Sequence, residues 1–137
     1  MNQAQIRVLV AEDSPSLRAL LTDVLAGEGY RVTEAGTAFE MQAAIAHSAE
    51  PQGKGGGFDL IVTDIRMPGK SGLDALAELR AGGSTSRFVV ISAFPEDATE
   101  RRIQELDARL LAKPFSLADF RSITRAALAA AAARGDA

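Results

Sequence analysis

Short β-like runs alternate strictly with helix-like segments along this chain, and the alternation limits the fold more than any other feature. The strand candidates are IRVLVA (6–11), YRVTEA (30–35), FDLIVT (58–63), RFVVIS (87–92) and ARLLA (108–112). Three of them are nearly continuous apolar runs, the pattern of parallel strands covered on both faces. Strands joined through helices form a parallel sheet with right-handed crossovers, hence a three-layer, doubly wound α/β sandwich.

The helical segments carry their own punctuation. Ser14 and Pro15 supply an N-cap and a first-turn proline, after which Leu17, Leu20, Leu21, Val24 and Leu25 recur at helical spacing as far as Gly27 and Gly29. Thr37 with Glu40 reads as a capping box opening a second helix with apolar Met41, Ala44 and Ile45. Three more helices are expected over 72–80, 95–106 and 116–133; the middle one is mostly polar and should be weakly buried. EPQGKGGG (50–57) reads as a flexible loop insertion, and residues 131–137 as a fraying tail.

At 137 residues the chain has enough length for one hydrophobic core, so a single domain over 1–137 with its core at about 5–130 is expected. A net charge of -3 offers no general attraction to nucleic acid or anionic lipid. The absence of cysteine excludes disulfides and thiolate metal sites. No signal-peptide pattern or membrane-length apolar run is evident, which makes the cytoplasm the expected location.

Ligands of such sheets gather at the carboxyl edge of the strands. The polar residues there are Glu12 and Asp13 after the first strand, Asp64 after the third, Ser92 at the fourth and Lys113 after the fifth. Three carboxylates in one cluster repel one another unless a cation joins them. A donor set of hard oxygens without histidine or cysteine favours Mg²⁺. An aspartate flanked by a divalent cation, an ammonium and a hydroxyl is equipped to attack phosphorus, because phosphoryl transfer needs alignment and charge neutralisation more than proton transfer.

Taken in order, VLVAED (8–13), DLIVTDIRMPGKSG (59–72), VVISA (89–93) and KPF (113–115) resemble the receiver domain of bacterial two-component response regulators, over essentially the whole chain. The resemblance implies a flavodoxin-like, doubly wound five-stranded parallel sheet in the order 2-1-3-4-5 with five helices. It implies that Asp64 accepts a phosphoryl group from a histidine kinase phosphohistidine or a phosphotransfer protein. Mg²⁺ would be held by Glu12, Asp13, Asp64 and the main-chain carbonyl of Arg66. Lys113 would pair with Asp64 and then with the phosphoryl group, and its bond to Pro114 would be cis. Ser92 would swing in to bond the phosphate, and the change would be read by a downstream protein target at the face of the fourth helix and fifth strand.

Two departures stand out. Leu110 occupies the position where the family usually has Tyr or Phe, and LDARLLAKP (106–114) lacks the usual Gly-Ala pair. A receiver-like interaction module without normal switching is therefore the alternative. Arg66 and Phe94 would border the path of hydrolytic water, and Met67-Pro68-Gly69 would turn the chain to frame the pocket.

Other chemistries on this fold fit less well. A flavin site wants a hydroxyl- and glycine-rich first loop where this chain has EDSPS, and a haloacid-dehalogenase-like phosphatase wants an aspartate where Arg66 stands. Taken singly, Asp13 reads as a helix cap, Ser92 as the start of a turn, His47 as a surface residue, and Met67 and Phe115 as packing. No output domain is expected after the last helix, leaving a single-domain regulator, monomeric or weakly dimeric, that catalyses only its own phosphorylation and dephosphorylation and acts as a relay or by docking.

Overall fold

The structure, a computed structural model, describes residues 5–48, 57–66, 71–93 and 96–133, with side chains as far as Ala130. The insertion at 50–56, the Met67-Pro68-Gly69 turn, Phe94 and the tail at 134–137 lie outside the described residues. Strands β1 (Arg7–Ala11), β2 (Arg31–Ala35), β3 (Leu60–Asp64), β4 (Arg87–Ser92) and β5 (Arg109–Ala112) alternate with helices α1 (Pro15–Gly27), α2 (Ala38–Ser48), α3 (Gly72–Ala81), α4 (Asp97–Glu105) and α5 (Leu117–Ala133). All strand pairs are parallel, in the order β2-β1-β3-β4-β5 that the family resemblance implies.

The alternating sides of β1, β3 and β4 explain why these runs are nearly continuous in apolar residues. Leu9, Ile61, Phe88 and Val90 face a core completed by Met41 of α2, Leu76 of α3 and Ile103 of α4. Val8, Val10, Leu60, Val62, Val89 and Ile91 face a second core with Leu21 and Leu25 of α1 and Phe120 of α5. Residues one apart along a strand point to opposite faces, so a strand with helices on both sides keeps its middle apolar, and the polar residues of β3 and β4 (Thr63, Asp64, Arg87 and Ser92) lie at or next to the strand ends. β2, at the sheet edge, is mostly exposed and shows the weaker pattern accordingly.

Ser14 caps α1 by accepting the Leu17 N–H. At α2, Thr37 Oγ1 accepts the Glu40 N–H at 3.0 Å, but the Glu40 carboxylate bonds back to the Gly36 N–H at 2.6 Å, one residue earlier than a capping box would place it. The polar fourth helix begins at Asp97 and buries only Ile103. Among the described residues no helix is long and apolar enough to cross a membrane.

Register then determines which residues meet at the carboxyl edge. Ala11 pairs with Thr63, so Glu12 follows beside Asp64; Asp64 pairs with Ile91, and Ser92 with Ala112, the residue before Lys113. Asp64 is the last residue of β3, not the first of the loop after it, and Ser92 ends β4 as the sequence implies.

Candidate phosphoryl-acceptor site

Asp64 is only 6% exposed at the end of β3. Its Oδ1 accepts the Arg66 N–H at 2.9 Å, and its Oδ2 accepts a proton of Lys113 Nζ at 2.8 Å. Lys113 is positioned by its own main chain, whose N–H extends the β4–β5 ladder to the Ser92 carbonyl at 2.8 Å, and its bond to Pro114 is cis. Partial burial alone would lower the Lys113 pKa. The bond to Asp64 and the charges of Asp64, Glu12 and Asp13 outweigh it and hold the ammonium above its ordinary value.

Glu12 is 2% exposed. Its Oε2 accepts the Ser14 N–H at 3.0 Å, whereas Oε1 is buried with no hydrogen-bond partner. Burial first, then the neighbouring Asp64 and Asp13 carboxyls, push its pKa up to about 7 against the pull of the Ser14 amide. A buried carboxylate oxygen without a donor is costly, and a bound cation would satisfy it. The donor set around it is all oxygen, the chemistry that suits Mg²⁺. The residues present fit that ion, although among the described residues no group of three acids is drawn together at metal-holding spacing.

The sequence-derived residues thus separate by role. Asp64, Lys113 and Glu12 are in mutual contact or electrostatic reach; Asp13 is exposed beside Glu12; Ser92 is buried at the end of the adjacent strand; Arg66 is exposed and touches Asp64 through its main-chain N–H. His47 is exposed on α2, and Phe115 packs against the second core, its ring centroid 6.2 Å from that of Phe120 and tilted by 30°. Sequence reasoning missed Arg18, whose Nη1 donates to the Glu12 main-chain oxygen at 2.8 Å. No local spacing signals a bond from a helix back to the loop before it.

A sequence model of the response regulator receiver domain matches residues 8–125. The transcriptional regulatory protein PdtaR of Mycobacterium tuberculosis is 36% identical over 115 residues, covering 82% of this chain and 52% of that protein, so the chain spans about half its length. The non-phosphorylated HemR receiver domain from Leptospira biflexa superposes with a TM-score of 0.78 at 27% identity, covering 90% of this chain and 94% of that one. The response regulator TrrA of Thermotoga maritima, in complex with Mg²⁺ and BeF, gives 0.75 at 26% identity, covering 90% and 100%.

Proposed function

The chain belongs to the response regulator receiver domain family, and we propose that within it Asp64 accepts a phosphoryl group from the phosphohistidine of a histidine kinase or phosphotransfer protein, altering contacts with a downstream protein target. The observation that carries this reading is the 2.8 Å bond between Lys113 Nζ and Asp64 Oδ2, formed between residues 49 positions apart at the carboxyl edge of the sheet.

In the transfer, an Asp64 carboxylate oxygen bonds to phosphorus as the phosphorus–nitrogen bond of phosphohistidine breaks. The imidazole leaves with the electron pair and takes up a proton. The product is an acyl phosphate. Lys113 exchanges its bond with Asp64 for one to a phosphoryl oxygen, and the Ser92 hydroxyl on the neighbouring strand turns to donate another. Attack of water on phosphorus returns the carboxylate and inorganic phosphate, and no external substrate is turned over. Mg²⁺, held by Glu12, Asp13, Asp64 and the Arg66 carbonyl, would neutralise the phosphoryl oxygens. The orphaned Glu12 Oε1 supports that assignment, as does the TrrA complex, a related structure that contains the ion.

The test is mass spectrometry after incubation with acetyl phosphate and Mg²⁺. The natural protein should gain the mass of one phosphoryl group and Asp64→Asn none; equal gain by both would refute the assignment.

Leu110 supports a second reading. It is half-buried and packs against the core that contains Ile103, so no aromatic ring stands there to exchange between buried and exposed positions. If the chain works by constitutive binding, beryllofluoride with Mg²⁺ will leave the amide NMR spectrum unchanged across α4 and β5; shifts there support the switching reading.

A further inference from the structure

Arg18 of α1 joins three segments of chain at one point. Its side chain is 22% exposed. Nη1 donates to the main-chain oxygen of Glu12 at 2.8 Å, and Nε donates to Glu34 Oε1 at 3.2 Å near the end of β2. The Glu12 N–H donates to the Ala35 carbonyl at 3.0 Å. The Glu12 residue is therefore held at both main-chain polar atoms, by β2 at nitrogen and by Arg18 at oxygen, and Arg18 is in turn held by the residue before Ala35.

Gly36 completes the arrangement. A Cβ at that position would lie 2.9 Å from Arg18 Nη1 and 3.4 Å from Glu40 Oε1. The space that a side chain would fill is taken by the guanidinium. An alanine there meets the far end of a flexible side chain and not a backbone, so it would displace Arg18 while sparing the fold.

We infer that Arg18 is a positioning residue for the acid pair, tying the main chain of Glu12 to the β2–α2 turn so that the Glu12 and Asp13 carboxyls are aimed for a divalent cation. The inference rests on the cation reading above and deepens it. Fixing the main chain of a ligand residue sets the direction in which its carboxylate leaves, and Mg²⁺ demands near-ideal octahedral positions. A planar guanidinium with several donors serves two acceptors at once; an ammonium is a single point charge.

Positioning and plain electrostatics predict opposite signs. A guanidinium beside a cation site repels the cation, so deleting it should tighten Mg²⁺ binding if charge were its only effect. Deleting a positioning group should weaken binding.

The experiment is an Mg²⁺ titration of the natural protein, Arg18→Ala, Arg18→Lys, Gly36→Ala and the Arg18→Ala/Gly36→Ala double variant, followed by amide NMR at Glu12 and Asp13, with thermal unfolding in parallel. Arg18→Ala should bind Mg²⁺ about tenfold more weakly, as is typical when an outer partner of a metal ligand is lost. Arg18→Lys should recover part of the loss. Gly36→Ala, which keeps Arg18 in the chain, should weaken binding comparably, and the double variant should be no weaker than Arg18→Ala because both changes act through one guanidinium. Unchanged or tighter binding by folded Arg18→Ala or Gly36→Ala, or additive losses in the double variant, overturns the inference and leaves the cation reading standing. A lowered unfolding temperature with unchanged affinity marks a structural brace and equally overturns it. Failure of the natural protein to bind Mg²⁺ overturns both readings.

Discussion

Replacing Glu12 with glutamine should stabilise the metal-free protein above neutral pH and have little effect in acid. Burial, reinforced by Asp64 and Asp13, raises the Glu12 carboxyl from 4.5 to about 7. The folded chain therefore keeps a proton that the unfolded chain releases as pH rises between these values. The stabilisation from that proton is fully present below pH 4.5 and is lost as pH rises through about 7. Each pKa unit is worth about 1.4 kcal/mol, so the gap from 4.5 to about 7 corresponds to about 3 kcal/mol of pH-dependent stability. Glutamine removes the ionisation, and the weakening of the Ser14 amide bond is already contained in that net shift, so the gain above neutrality is about 3 kcal/mol. The chain has no tryptophan and one tyrosine, so urea unfolding is best followed by far-ultraviolet circular dichroism, in chelator, at about pH 5 and about pH 8. Comparing variant with natural protein cancels the titrating groups that do not interact with Glu12; Asp64, Asp13 and Lys113 interact with it and change with the substitution. A stability difference of equal size at both pH values would refute the reasoning. Adding Mg²⁺ should stabilise the natural protein by mass action and the variant much less.

Lys113→Met should cost about 2 kcal/mol in urea unfolding, because it leaves the nearly buried Asp64 carboxylate without its cation; the partial exposure of Lys113 keeps the loss below that of a fully buried pair. Gly72→Ala would place a Cβ 2.6 Å from the Asp64 main-chain oxygen and 3.0 Å from Thr63 Oγ1. Because the nearer atom is backbone, we expect a loss of about 2 kcal/mol together with slower labelling by acetyl phosphate. Ile103→Ala removes the only buried side chain of α4 and should cost about 3 kcal/mol, with amide hydrogen exchange quickening most in that helix.

What the sequence disclosed and what it concealed follow from the range of the forces involved. β1, β3 and β4 were readable because burial on both faces demands an unbroken apolar run, and the position of Ile103 in an otherwise polar segment correctly implied a lightly anchored helix. The acids, Ser92 and Lys113 were readable because a strand that ends in a polar residue must deliver it to an edge. Bonds without a fixed sequence spacing were not readable. Glu40 has the spacing of a capping box, yet its carboxylate bonds Gly36; Arg18 reaches Glu34, sixteen positions away. The folded path of the main chain brings those partners together, and no local periodicity records it.

The two edges of the sheet treat charge in opposite ways, and this separates stability from function. At the amino edge, Arg80 donates to the carbonyls of Ser84, Ser86, Leu106 and Asp107 and lies over the Phe88 ring at 5.5 Å. Arg7 does likewise with the Gly57 carbonyl and the Phe58 ring at 5.0 Å. There Arg80 and Arg7 are matched to carbonyls and aromatic faces and Arg87 to the Asp107 carboxylate at 3.7 Å, which ties the starts of β3, β4 and β5 to their neighbours. Among the described residues at the carboxyl edge one ammonium, Lys113, is within electrostatic reach of three carboxyls, and a buried oxygen of Glu12 has no donor. An arrangement selected for stability alone would not bury that oxygen, since an unpaired buried acceptor costs about 1–3 kcal/mol. The cost is tolerable because the two cores and the amino edge secure the fold independently of the acids. Arg80→Ala should accordingly lower the unfolding temperature while leaving Asp64 able to take phosphate from acetyl phosphate in the folded fraction. Glu12→Gln should do the reverse, and loss of both properties in either variant would show that the edges are not separable.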